Sequence, residues 1–291
     1  MRRLTAIVLG SLLLVACQGQ QANLLTDPSA ILQAAASTTA AARTVHIDVT
    51  ADGPIAIDPL GTGAGAAVNL KGTTAAIDAD LAASKLHATF LSPNLLNLSA
   101  EVITTDGSTY LKSSFTGPKF QVTATPVDAS PSVVPLASAM PAQALSMLTT
   151  LLSRPGLQLT KGDDVPCAGG TCYTVMLHLS AADLQALGGG AASPAPSGTA
   201  ASPGPSASGL GGLSGLPGIG GALSGIALPD LSTATADLAI HVEQTSRRLS
   251  GIDATVHLGD MGDPKLTFTF TKWDEPVAIQ APPADQVQPA G

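Results

Sequence analysis

From Thr44 onward, apolar and polar residues alternate one by one: Val45, Ile47 and Val49 interleave with His46, Asp48 and Thr50. Successive side chains of an extended chain point to opposite faces, so this period of two predicts a half-buried strand. The pattern returns in Ile77, Ala79 and Leu81 against Asp78 and Asp80, and in Leu86, Ala88 and Phe90 against Lys85, His87 and Thr89. Asp106-Gly107 supplies a tight turn between Val102-Ile103 and Tyr110-Leu111, which predicts a hairpin. Strands are also expected near 157–161 and 172–179. Late in the chain, Leu238/Ile240/Val242, Ile252/Ala254/Val256/Leu258 and Leu266/Phe268/Phe270 each alternate with polar partners. The sum is a meandering, mostly antiparallel sheet with one dry face and one wet face.

Three stretches break this period. Ala30 to Ala42 is rich in the best helix former, with Asp27 placed to cap a helix and Pro28 suited to its first turn. A second helical region is expected between Pro131 and Leu152, and a short helix at 180–187. The expected fold class is therefore α+β: a curved, mostly antiparallel half-barrel sheet whose apolar face is covered by a few helices. Aromatic residues make up only 3% of the chain, so that face is built from Val, Ile, Leu and Ala. Small aliphatic groups under an Ala-rich cover can leave an unfilled cavity able to take an acyl chain. Periodicity alone favours the plainer reading, a solid core of small residues with no void.

The first residues form a different kind of segment. Arg2 and Arg3 precede the apolar run Leu4–Ala16, which is well short of the roughly 20 residues needed to span a bilayer. The run ends in Leu14-Val15-Ala16-Cys17, which resembles the lipobox of a bacterial lipoprotein signal peptide. The resemblance implies removal of residues 1–16, a diacylglyceryl thioether on Cys17, and a lipidated tether over 17–26. Several acyl chains on one residue hold a protein to a membrane stably, where one chain binds only marginally. The expected location is extracytoplasmic, in the cell envelope and anchored to the cell membrane through Cys17.

The formal net charge is −8, and loss of Arg2 and Arg3 makes it more negative. An acidic exported chain is a poor candidate for binding nucleic acid or anionic membrane surfaces. Residues 188–229 are almost wholly Gly, Ala, Ser and Pro with scattered Leu and Ile, a low-complexity composition that cannot supply a packed core. The strands beyond it are too few to form a sheet with a core of their own. Residues 27–280 are thus expected to be one domain with 188–229 as an insertion, followed by a flexible tail at 281–291. Leu210 to Leu231 is too apolar for a purely solvating linker, so a lid or a bilayer-contacting segment is set against a flexible insertion that tolerates leucines.

The order of motifs resembles the LppX/LprG type of actinobacterial lipoproteins. The matching features are Cys17, the helix running into Ala42-Arg43-Thr44-Val45-His46-Ile47, the strand Ser108-Thr109-Tyr110-Leu111-Lys112 followed by Phe120, and the ending Leu266-Thr267-Phe268-Thr269-Phe270-Thr271-Lys272-Trp273. Trp273-Asp274-Glu275-Pro276-Val277 and Pro282-Pro283 also look like that family. The resemblance implies a half-barrel closed by helices around a hydrophobic cavity, similar to the LolA/LolB carriers, and the binding or ferrying of acylated lipids or lipoglycans. Against it stand the insertion at 188–229 and the Cys167/Cys172 pair.

Cys167 and Cys172 flank Ala168-Gly169-Gly170-Thr171. In an exported chain, two cysteines left after lipidation of a third read as a disulfide. A metal site would need more ligands than Asp163, Asp164 and His178 nearby, and the spacing is not that of a redox pair. His46, His87, His178, His241 and His257 fall on the polar phase of their strands and read as solvated. Asp78 with Asp80, and Asp163 with Asp164, read as surface charge. No HExxH or GxSxG occurs, and the glycines of 209–225 do not join a βαβ unit.

These features predict a non-enzymatic carrier without cofactor or metal, taking acylated lipid into an apolar cavity and passing it between membrane layers, with an envelope transporter as a further partner. Candidate wall residues are Val45, Ile47, Val49, Ile77, Leu81, Leu86, Leu238, Ile240, Val256 and Phe268. The alternative is a structural or signalling surface lipoprotein whose sheet packs solid and whose partner is a protein. An envelope hydrolase would require a convergent acid, base and nucleophile in three dimensions.

Overall fold

The computed structural model describes residues 24–57, 66–124, 157–188 and 233–288. Helix α1 (Pro28–Ala40) leads into β1 (Thr44–Asp52), followed by β2 (Pro54–Ile57), β3 (Ala66–Asn69), β4 (Thr73–Asp80), β5 (Lys85–Ser92), β6 (Leu98–Thr105), β7 (Ser108–Ser113) and β8 (Gly117–Ala124). After the next described residues come β9 (Leu159–Lys161), β10 (Val165–Cys167), β11 (Gly170–Leu179) and helix α2 (Ala181–Gly188), then β12 (Thr235–Glu243), β13 (Leu249–His257) and β14 (Lys265–Thr271).

Twelve strands form one sheet in the order β10-β11-β12-β13-β14-β1-β4-β5-β6-β7-β8, with β9 joining β11 along the same edge as β10. The pairings within it are antiparallel. The sheet is large and open, not closed into a barrel, and two helices accompany it among the described residues. β2 and β3 pair only with each other. The expected helix between Pro131 and Leu152 lies outside the described residues, as do Cys17 and the 188–229 insertion apart from Gly188.

Local chemistry accounts for the elements. Asp27 caps α1 by accepting the Ser29 backbone N–H at 3.2 Å, and Pro28 opens the first turn. Asp106 and Gly107 both take left-handed φ values, +52° and +73°, the twist a two-residue hairpin turn needs to match its strands.

The main core lies where α1 crosses one end of the sheet. Ile31, Leu32 and Ala35 of α1 are fully buried against Tyr173, Val175 and Leu177 of β11, Ile240 and Val242 of β12, and Leu249 of β13. Each such Leu or Ile stabilises the fold by about 1.5–3 kcal/mol through burial. Leu25 sits beside this core, its N–H donating to the Tyr173 hydroxyl at 3.0 Å. A second cluster of Val45, Ala79 and Leu86 extends the dry face past Phe270 and Trp273, whose rings stack at 6.1 Å.

The wet face is not wet throughout. Across β6, β7 and β8 it carries Ile103, Tyr110 and Phe120, because in β6 and β7 both phases of the alternation are apolar. Residues 276–288 cover this patch: Ile279, Val277 and Val287 pack onto Ile103, Phe120 and Tyr110, and the Gln288 N–H donates to the Phe120 carbonyl at 2.7 Å.

Candidate apolar binding face

Register fixes which side chains share the dry face, since directly paired residues point the same way. One row runs Val175–Ile240–Ile252–Phe268–Val49–Ala75–Phe90–Ala100 across eight strands, from β11 to β6. Burial fades along it. Val175 is 0% and Ile240 1% exposed under α1, whereas Ile252, Phe268, Val49, Ala75, Phe90 and Ala100 are only half-buried. The apolar row thus continues beyond the cover that α1 provides.

The ten expected wall residues fall into three surroundings. Leu238, Ile240 and Val256 belong to the core under α1, where Ile240 is fully packed. Val45, Ile47, Ile77, Leu81 and Leu86 form the second cluster with Phe270 and Trp273. Val49 and Phe268 are direct cross-strand partners in the half-buried row. The row's other central members, Ala75, Phe90 and Ala100, are not among the expected wall residues. Phe90 carries the signal in its alternation with Thr89, whereas a lone alanine carries none. At the row's far end a recess of about 540 Å³ is lined by residues of both faces, Phe90, Ala100 and Ser113 of the row's phase together with Thr89, Glu101 and Lys112 of the opposite one.

The opposite face has ordered polar chemistry. All five histidines lie on it, and each meets a carboxylate rather than water alone. His46 Nδ1 is 2.7 Å from Asp78, His87 Nε2 3.1 Å from Glu101, His178 Nδ1 2.8 Å from Asp237 and His241 Nε2 3.0 Å from Asp253. His257 bridges Asp263 at 2.9 Å and Asp237 at 3.0 Å. The expected solvation holds for His178, His257 and His87, whose side chains are 57%, 41% and 37% exposed, but not for His46 and His241, at 15% and 19%. The cause of the carboxylate contacts is cross-strand pairing, which sets Asp78 opposite His46 and Asp237 opposite His178.

Hydrogen bonds that the His257 imidazolium donates to Asp263 and Asp237 hold it above its ordinary pKa of 6.5. Hydrogen bonds from His178 and His257 hold Asp237 below the usual carboxylate range. At Glu101, partial burial pushes the pKa up, but hydrogen bonds from Lys112 and His87 and the charges behind them outweigh it, and the net shift is down.

One of these arrays has the outline of a nucleophile–base–acid chain: Thr174 Oγ1 lies 3.3 Å from His241 Nδ1, and His241 Nε2 faces Asp253. Its chemistry is limited. Thr174 is 6% exposed, and it sits mid-strand where backbone N–H groups are committed to the ladder with β12. Acyl transfer needs an accessible hydroxyl and free donors for a developing oxyanion, and this geometry presents neither. Among the described residues no group of three or more His, Cys, Asp and Glu side chains could hold a metal ion. Asp163 is exposed near the β9–β10 connection, and Asp164 pairs with Lys161 at 2.6 Å.

Cys167 and Cys172 are joined in a disulfide that closes the β10–β11 turn, with Cα atoms 5.8 Å apart. No described helix is long and apolar enough to cross a membrane.

No protein-family model matches the chain, and no curated protein does. Among solved structures, the chain is similar to lipoprotein LppX of Mycobacterium tuberculosis, with 15% identity over 87% of this chain and 97% of that one and a TM-score of 0.46. LprF of Mycobacterium bovis matches at 13% identity over 88% and 96%, with a TM-score of 0.45. A LolA-superfamily protein of Nitrosomonas europaea also matches, at 6% identity over 90% and 97% with a TM-score of 0.23.

Proposed function

We propose that this protein is a cell-envelope lipid carrier, anchored through Cys17, that takes acyl chains onto the dry face of its sheet. The observation that carries this reading is the half-buried row Phe268–Val49–Ala75–Phe90–Ala100, an apolar surface continuous with the core but not covered by α1. A carrier needs such a surface. Each CH₂ group that leaves water contributes about 0.8 kcal/mol, so a single acyl chain laid along the row supplies substantial driving force without any reaction. A polar head group would remain in water at the margin of the sheet. Passage of lipid between membrane layers and delivery to an envelope transporter belong to the same proposal.

The test is a titration of the delipidated protein with a phospholipid bearing one fluorescent acyl chain. Binding that weakens in Phe268→Ser and Phe90→Ser, and is unchanged in a wet-face variant such as Thr269→Ser, supports the reading. Equal binding in all variants would place the acyl chain elsewhere and overturn it.

A further inference from the structure

Three turns gather at one end of the sheet: β3–β4, β5–β6 and β7–β8. They are stitched together, since Asn94 Nδ2 donates to the Lys71 carbonyl at 2.9 Å and the Ser114 N–H donates to the Ser99 carbonyl at 2.9 Å. This rim presents large apolar groups to solvent: Leu96 is 85% exposed, Phe115 54% and Leu91 46%. Leu96 is also held at φ +56°, a left-handed conformation that a leucine adopts only against steric resistance. Burial among the described residues does not repay that placement, because the side chain stands in solvent.

The charge of the rim differs from that of the molecule. The stretches 68–74, 91–99 and 113–119 contain Lys71 and Lys119 and no acidic residue, in a chain with 21 acids. Both lysines are exposed, and neither has an ion-pair partner among the described residues. Net negative charge argues against anionic surfaces only when averaged over the whole protein. At physiological salt, charges beyond about 8 Å are largely screened, so a docking surface responds to its local charge. Exposed leucine and phenylalanine beside unpaired lysines match a bilayer interface, where apolar side chains enter the acyl boundary and ammonium groups meet anionic head groups. The rim also lies far from the start of the described chain: Leu25 sits against β11, and β6 is seven strands away along the sheet.

We propose that the Leu96/Phe115/Leu91 rim, with Lys71 and Lys119, docks onto an anionic lipid surface. This goes beyond the carrier reading and does not depend on it, since docking requires no cargo.

The test uses the full chain on vesicles of equal parts phosphatidylglycerol and phosphatidylcholine, with bromine on the acyl chains. The natural sequence has a single tryptophan, Trp273, which gives the baseline emission. In F115W, the added emission is expected to be quenched by the brominated lipid. Leu96→Ser and K71E/K119E in that background should each roughly halve the quenched fraction. Added emission that is not quenched overturns the proposal, as does quenching indifferent to both variants or equal on pure phosphatidylcholine. Lipid uptake measured separately distinguishes this failure from failure of the carrier reading.

Discussion

The two halves of the dry face use the same residue types yet end differently. Under α1, Val175, Ile240 and Val242 lose nearly all contact with water, whereas three to six strands away Val49, Ala75 and Phe90 lose only part of it. The strands themselves are alike, with the same period and the same antiparallel pairing. What separates the halves is the cover: Ile31, Leu32 and Ala35 reach β11–β13 and go no further. The same apolar face is thus a closed core where α1 packs on it and stays half-exposed where α1 does not reach.

The largest expected effect sharpens that contrast. Leu32→Ala, which empties the centre of the α1 contact, should cost about 2–5 kcal/mol in urea unfolding. Disrupting Cys167–Cys172 with C167S/C172S should cost about 2 kcal/mol by the chain-entropy estimate for so short a loop, with lipid uptake unchanged. An equal loss of uptake would tie the disulfide to the binding face. Phe268→Ala, in the half-buried row, should cost only about 1 kcal/mol in stability but weaken acyl-lipid binding about tenfold. A stability loss as large as that of Leu32→Ala would erase the distinction between the halves.

The smallest effect concerns the wet face. His257 is raised by Asp263 and Asp237, so its contribution to stability is fully present below pH 6.5 and is lost as pH rises through its folded value. Asp237 is lowered, so its contribution is present above pH 3.8 and is lost as pH falls through its folded value. An NMR titration should find the His257 ring titrating above 6.5 and moving down in Asp237→Asn. No change in that variant would contradict the bridge.

Much of the sheet is legible in the sequence, because a period of two exposes face as well as strand. The hairpin at Asp106-Gly107 and the cap at Asp27 follow from residues whose chemistry admits few alternatives. β2 and β3 do not show, since Pro54–Ile57 and Ala66–Asn69 are too short to establish a period. β10 does not show either, being a strand of three residues, Val165–Cys167, held by pairing with β11. The wall of the candidate face is legible only by phase. Val49 and Ile240 look identical along the chain, and only the crossing of α1 makes one half-exposed and the other core. The histidine–carboxylate pairs are illegible for a related reason: His178 and Asp237 meet through register between strands far apart in sequence.

The central claim is that the uncovered row holds acyl chains, and mass spectrometry of an organic extract tests it most directly. The protein, expressed in an envelope-bearing bacterial host and purified from it, should release acylated lipid in stoichiometric amount, and Phe268→Ser should release less. An empty protein across hosts, with no uptake in vitro, would contradict the carrier and leave the half-exposed row as a contact surface for another protein.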